Sequence, residues 1–281
     1  MIFTANNLSE SYRKSFLLLA LILFLPFAAA AQEKQDDEDE DYISPVRPTV
    51  SDSAKIQKKG VLQIEAGGDF GFDAPDFRNR QSAPLGVYFA VNKKLRLDFE
   101  IDAVVSQKDS MTGRRETGIG DVHLGFKAIA RDKPEERFAA AFAYSIKLPA
   151  ASEEKDLGTG RVDHNLRLIF HRTYGKNDYI FNAAYLNNGR EDESGRDSGA
   201  QAVFTVEREF TKKFHIVGES YGNTIEENQP RGIYLLGALI YKVNKRLHLD
   251  IGVRPGFGRD APKIGVFTGL TVGVANLYKR K

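Results

Sequence analysis

Four charged residues occupy alternate positions in the stretch LRLDFEIDAVV: Arg96, Asp98, Glu100 and Asp102. In an extended chain every second side chain points the same way, with about 7 Å between successive members. Two carboxylates fixed at such a distance could divide acid and base roles in glycoside hydrolysis. They could also form a polar wall, braced by Lys127, Arg167 and Arg254 from neighbouring segments. The same polar face continues through Asp121, His123 and Lys127 in GIGDVHLGFKAIA, and through Asp250 and Arg254 in LHLDIGVR. The wall is the expectation, with all ten residues lining an interior. If they leave a water-filled gap, mixed charges border a narrow route for small solutes; if they interlock, the interior is plugged.

Other chemistries find little in the residue inventory. His164 and His171 are seven apart, which puts them on opposite faces of a strand and makes them a poor metal pair. Asn165 beside His164 alternates to the other face, and no His has a Ser and an Asn near it in sequence. The chain has no Cys, so disulfides, thiolate metal sites and lipoprotein anchoring are all excluded. The LGTG stretch lacks a strand-to-helix context and reads as a turn. A formal net charge of +2 offers no footprint for nucleic acid. No catalytic residue, cofactor or metal site is expected, and the chain is read as a non-enzyme.

The elements that position these residues are strands. Leu95, Leu97, Phe99, Ile101 and Ala103 face away from the charged ladder, and the same period of two recurs to the end of the chain. It predicts twelve segments, near 60–70, 83–91, 95–105, 118–130, 137–148, 161–173, 178–187, 199–210, 214–224, 231–243, 247–257 and 263–278. Many are longer than the five or six residues usual in soluble proteins and suit a tilted membrane crossing. Short links such as NKK, TKK and NKR alternate with long polar ones such as DAPDFRNRQ, QKDSMTGRRET and NGREDESGRDS. Tight turns at one rim and loops at the other are the mark of an up-and-down transmembrane barrel. Three-residue turns would set Val91 opposite Leu95, Phe210 opposite Phe214 and Val243 opposite Leu247. Tyr88, Tyr144, Tyr179, Tyr185 and Tyr278 would form interfacial girdles. Small residues on the polar face, Ala139, Ala141, Ala143 and Ser145, then Gly265, Gly269, Thr271 and Gly273, suit a crowded interior.

Ahead of the strands, Arg13 and Lys14 precede an apolar run from Phe16 to Leu25 and a cluster of Ala, which reads as an export signal over residues 1–31. Residues 32–59, beginning QEKQDDEDED, hold too little apolar surface to order themselves and are expected to be a disordered, acidic periplasmic tail. The barrel takes 60–281.

Several motifs resemble one family of outer-membrane barrels, grouped under the label MetA-pathway of phenol degradation. They are Gly118, Gly120 and Asp121 in GIGD, Lys147, Leu148 and Pro149 at a strand end, and Leu157, Gly158, Thr159, Gly160 and Asp163 in LGTGRVD. Ala150 and Ala151 stand where such proteins often read Thr-Gly, and the chain ends in KRK after Tyr278 instead of on an aromatic residue. The resemblance implies a channel or porin-like transporter and brings no catalytic residues. The expected setting is the outer membrane of a Gram-negative cell. Its lipids, the barrel-assembly machinery, periplasmic chaperones and a small solute, hydrophobic or aromatic ones among the candidates, would be the partners. The rival class is a lipid-modifying enzyme, which on a twelve-stranded barrel would carry Ser, His and Asn on its outer face; a third is a structural or adhesive barrel acting through its loops.

Overall fold

The computed structural model describes residues 42–190, 195–227 and 229–278. The expected export signal and the acidic run to residue 41 lie outside them. The strands are β1 (Val61–Phe72), β2 (Phe77–Asn92), β3 (Leu95–Asp109), β4 (Arg115–Gly118), β5 (Val122–Arg131), β6 (Ala139–Leu148), β7 (Asp163–Tyr174), β8 (Asn177–Gly189), β9 (Arg196–Glu209), β10 (Phe214–Asn223), β11 (Gly232–Asn244), β12 (Leu247–Phe257) and β13 (Ile264–Asn276). All pairings are antiparallel, and β13 returns to β1, so twelve strands close into a barrel. The thirteenth, β4, pairs with β3 alone.

Burial is inverted relative to a soluble sandwich. Leu97, Leu168, Leu239 and Ile251 are about half exposed, whereas Gln63, Glu65, Arg96, Lys127, Asn182 and Thr205 are buried. Among the described residues no helix is long and apolar enough to cross a membrane. Closure satisfies every wall strand's backbone without an edge, as hydrocarbon requires.

The repeated NKK, TKK and NKR links have one physical explanation. In each, the first polar side chain folds back to accept from the turn backbone: Asn92 Oδ1 from Lys94 N at 2.7 Å, Asn244 Oδ1 from Arg246 N at 2.8 Å, and Thr211 Oγ1 from Phe214 N at 3.0 Å. These are the turns that Asn and Thr favour. Two of the expected facing pairs need correction. Asn92, not Val91, pairs with Leu95, and Asn244, not Val243, pairs with Leu247, because a bulge absorbs one residue before each turn. Phe210 does meet Phe214, through an N–H···O bond of 3.0 Å.

Elsewhere the strands outrun the expected segments. β2 begins at Phe77 and not at 83, and much of FRNRQ and QKDSM belongs to paired strand. Here polar rows such as Gln81 with Ser106 continue the ladder after the apolar stripe has ended, so hydrophobic alternation no longer marks it. Strand four is broken instead of continuous. At residues 119–121 the chain steps aside, and Gly120 N donates to Asp102 O at 2.8 Å. A Cβ on Gly120 would fall 2.6 Å from the Asp102 Cβ, so the step needs glycine.

Candidate functional site

The expected tail is the largest correction. From Tyr42 to Lys59 the chain does not hang free. It enters the lumen at the short-turn rim, turns near Val50 and returns to that rim, with Ser44, Ser51, Asp52, Ala54 and Gln57 buried. Wall side chains pair with its backbone much as a neighbouring strand would. Glu65 takes the N–H groups of Val46 and Arg47 at 2.8 and 3.0 Å, and Glu219 takes those of Val50 and Ser51 at 2.9 and 3.0 Å. Gln63 accepts from Ser44 N at 2.8 Å and donates to Ser44 O at 3.0 Å; Asn182 does the same for Asp52, at 2.8 and 3.0 Å. Low apolar content rules out a core made by the segment itself. It does not rule out binding to a wall that supplies the missing partners.

Asp52 is the charged centre of this insertion. Its carboxylate receives Arg96 at 2.7 Å and Lys127 at 2.6 Å, and Lys127 also donates to Ser53 O at 2.8 Å. Burial alone would push the Asp52 carboxyl up, but the two cations prevail and hold it below the ordinary range. Arg47 pairs with Asp250 at 3.1 Å, and Arg167 donates to Val50 O at 2.9 Å. The small residues noted in the sequence make room for this crowd. Ala54 packs on Ala139, Ala141, Ile129 and Ile169. A Cβ on Gly273 would lie 2.6 Å from the Tyr42 ring, and one on Gly269 would overlap the Arg47 guanidinium.

Above the insertion a cavity of about 720 Å³ runs toward the long loops. Arg96, Asp98, Glu100, Asp102, Asp121, His123, Arg167 and Arg254 border it, while Lys127 and Asp250 face the inserted segment. The expected bracing of the carboxylate ladder is not what is found. Arg96 does hold Asp98, at 2.6 Å, but Lys127 and Arg167 are committed to the segment and Arg254 binds Asp69 at 2.8 Å. Glu100 instead receives the Tyr88 hydroxyl at 2.9 Å. Tyr88 is therefore a lumen residue and not part of a girdle: it pairs with Asp98 across the sheet and points inward with it. Gln63, Glu65, Asn182, Thr205 and Glu219 were not singled out from the sequence. Their signal was the shared inward parity of polar residues, and no partner for it was recognised.

The family-like motifs meet at one place on the cavity wall. Lys147 Nζ lies 2.5 Å from Asp163, 3.3 Å from Asp121 and 3.0 Å from the Thr159 hydroxyl. Asp121 Oδ1 accepts from the N–H groups of Ala150 and Ala151 at 3.1 and 3.0 Å. Leu157 packs on Val105 and Ala151. The β6–β7 loop, residues 149–162, is thus pinned inward, and Asp156 to Thr159 border the cavity.

Pairing across strands brings together groups that sequence distance had hidden. His164, Asn187 and Ser198 form one row on the outer face of β7, β8 and β9. The order, however, puts Asn between His and Ser. The Ser198 hydroxyl meets Tyr185 at 2.8 Å and Asn187 at 3.2 Å, and His164 Nδ1 meets Tyr144 at 2.7 Å. A nucleophile needs its base within hydrogen-bond reach, and this row does not provide that.

A family model described as "Putative MetA-pathway of phenol degradation" matches residues 46–273, a span that starts inside the inserted segment. No curated protein matches the chain. Among solved structures, an outer membrane channel from Pseudomonas putida F1 superposes with a TM-score of 0.60 at 12% identity, over 85% of this chain and 99% of that one. The KdgM porin, in complex with disordered oligogalacturonate, gives 0.50 at 9% identity, over 76% and 99%. Outer membrane phospholipase A from Escherichia coli gives 0.46 at 11% identity, over 77% and 93%. At such identities the likeness speaks for the fold alone.

Proposed function

The chain belongs to the family described as "Putative MetA-pathway of phenol degradation", and on that footing we propose that it is an outer-membrane channel whose chamber is closed on the short-turn side by residues 42–59. The observation that carries this is the inverted barrel enclosing a cavity of about 720 Å³ directly above a polar insertion held by Glu65, Glu219 and Asp52. Each hydrogen bond to a charged group is worth about 1.5–3 kcal/mol net. The insertion is therefore firmly seated, yet it is tied to the wall by polar contacts that water can replace. Passage requires it to shift.

Small solutes, hydrophobic and aromatic ones among them, fit the reading. The family description points to phenol metabolism, and Phe77 and Tyr88 border the chamber between its charges. Export by the N-terminal signal and insertion by the barrel-assembly machinery, with the short turns facing the periplasm, complete the proposal. Single-channel recording in planar bilayers, with liposome swelling against phenols and small sugars, tests it. The wild type should pass a small current, and Asp52→Asn, which loosens the insertion, a larger one. Absence of current and swelling in both proteins overturns the channel.

A further inference from the structure

We propose that the outer face of β2, β3 and β4 carries a binding site for a phosphorylated glycolipid headgroup, at the level where the apolar band gives way to the loops. Lys108 and Arg115 are directly opposed across the β3–β4 pair, and Asn79 extends the row on β2. The neighbouring row sets Ser106 opposite Thr117. Residues paired in this way share one face of the sheet. Gln107 and Arg80 of the alternate row bond to each other toward the cavity, so Lys108, Arg115, Ser106 and Thr117 point outward. Like charges directly opposed across a sheet are destabilising unless something neutral or negative comes between them.

No carboxylate fills that role among the described residues. Arg115 spends its guanidinium on neutral oxygens, Ser106 Oγ at 2.9 Å and Asn79 Oδ1. The Thr117 hydroxyl donates to Ser106 Oγ at 3.1 Å, and the Thr117 carbonyl accepts from Lys155 Nζ at 3.1 Å. Glu116 lies on the inward parity and pairs with Arg114 at 2.9 Å. Asp109 caps the turn that follows β3, accepting from Met111 N at 3.0 Å. Arg78 is exposed at the start of β2, beside the same row. Lys108 and Arg115 thus share one outer patch with three neutral hydrogen-bonding side chains, Asn79, Ser106 and Thr117, and among the described residues no carboxylate pairs with either cation.

Height selects the ligand. Lys108 lies eleven residues beyond the exposed Leu97 on β3. At about 3.3 Å per residue and a tilt near 40°, that is roughly 28 Å along the barrel axis, just past an apolar band about 25 Å tall. Headgroups occupy that level, and the long-loop rim faces the outer leaflet in the orientation proposed above. The partner that supplies phosphate charge and sugar hydroxyls there, anchored by its own acyl chains, is a phosphorylated glycolipid. Lys and Arg donate to phosphate as charge-assisted hydrogen bonds, with Asn79, Ser106 and Thr117 available to hydroxyls.

The test uses the full mature chain in detergent micelles. A bisphosphorylated disaccharide glycolipid, its dephosphorylated form and inorganic phosphate are the probes, with binding read by native mass spectrometry and by fluorescence titration. Each Lys or Arg near a phosphate surface contributes on the order of 1 kcal/mol, so Lys108→Ala with Arg115→Ala should weaken the phosphorylated glycolipid roughly thirtyfold. Lys108→Arg should retain binding, and heat-modifiable mobility on gels should show all variants folded. The dephosphorylated form should bind the wild type no better than the phosphorylated form binds the double variant. Equal binding of the two lipids, or an unchanged double variant, overturns the site. Full displacement of the lipid by millimolar inorganic phosphate makes it a soluble-phosphate site and overturns the lipid assignment. Channel currents are not part of this test, so it stands or falls separately from the channel proposal.

Discussion

The lower and upper halves of the lumen have walls of the same kind and contents of different kinds. Below, toward the short turns, Gln63, Glu65, Lys127, Asn182 and Glu219 are spent on residues 42–59. Above, Glu100, Asp102 and His123 border open space, and two loops reach inward: the pinned β6–β7 loop, and the β10–β11 loop, whose Glu227 accepts from Asn165 Nδ2 at 2.9 Å. A mixed-charge wall by itself therefore does not decide between plug and passage. What decides is whether another part of the chain offers backbone groups and one well-placed carboxylate to the wall. The lower half has Asp52 and the backbone on either side of it; the upper half has loops held at its edge.

The contrast can be broken most sharply at Asp52. Asp52→Asn leaves Arg96 with Asp98 but takes from Lys127 its carboxylate partner within the insertion. Breaking a buried ion pair costs about 3–5 kcal/mol, so the open fraction in single-channel records should rise roughly hundredfold or more. Asn182→Ala removes two hydrogen bonds to Asp52 without touching a charge. It should cost about 1–2 kcal/mol and raise the open fraction roughly tenfold. In the upper half, a side chain at Gly158 would lie 2.6 Å from the Ala151 Cβ and 3.0 Å from the Asp121 carboxylate. Gly158→Val should cost about 1–3 kcal/mol as overpacking and change relative swelling rates among solutes a few-fold, while leaving the open fraction alone.

The smallest effect is expected from pH. The carboxyl of Asp52 is lowered in the folded protein, so its contribution is complete above its unfolded value of about 3.9 and is lost only as the pH falls through the folded value. The difference in open fraction between the wild type and Asp52→Asn should therefore persist from pH 5 to 8 and close only in strong acid. Closing of that difference near pH 6 would show that Asp52 is not the carboxylate that holds the insertion.

The barrel was legible because a bilayer forces a period of two on each crossing, and the register Tyr88 with Asp98 follows from the turn at Asn92 together with the one-residue bulge before it. What the period could not show were the contacts it does not govern. Strand extensions such as Phe77 to Gln81 are wet on the outside and polar within, so they look like loop. The seating of residues 42–59 was not legible because its partners are not nearby in sequence: Val50 is held by Glu219, 169 residues on, and Asp52 by Asn182, 130 residues on. The alanine and glycine runs of β6 and β13 had signalled a crowded interior without saying what crowds it. The Lys147, Asp121 and Asp163 cluster was present as a family-like motif, and only the structure joined its pieces through one ammonium group.

A disulfide lock offers the most direct trial, because the chain has no Cys of its own. The Ser51 and Thr205 hydroxyl oxygens lie 2.8 Å apart, one on the insertion and one on the wall. With Ser51→Cys and Thr205→Cys in one protein, oxidation should form the bond, abolish solute flux and current, and let reductant restore both. A bond that forms while flux continues unchanged, or a pair that will not oxidise in the folded barrel, would contradict the account.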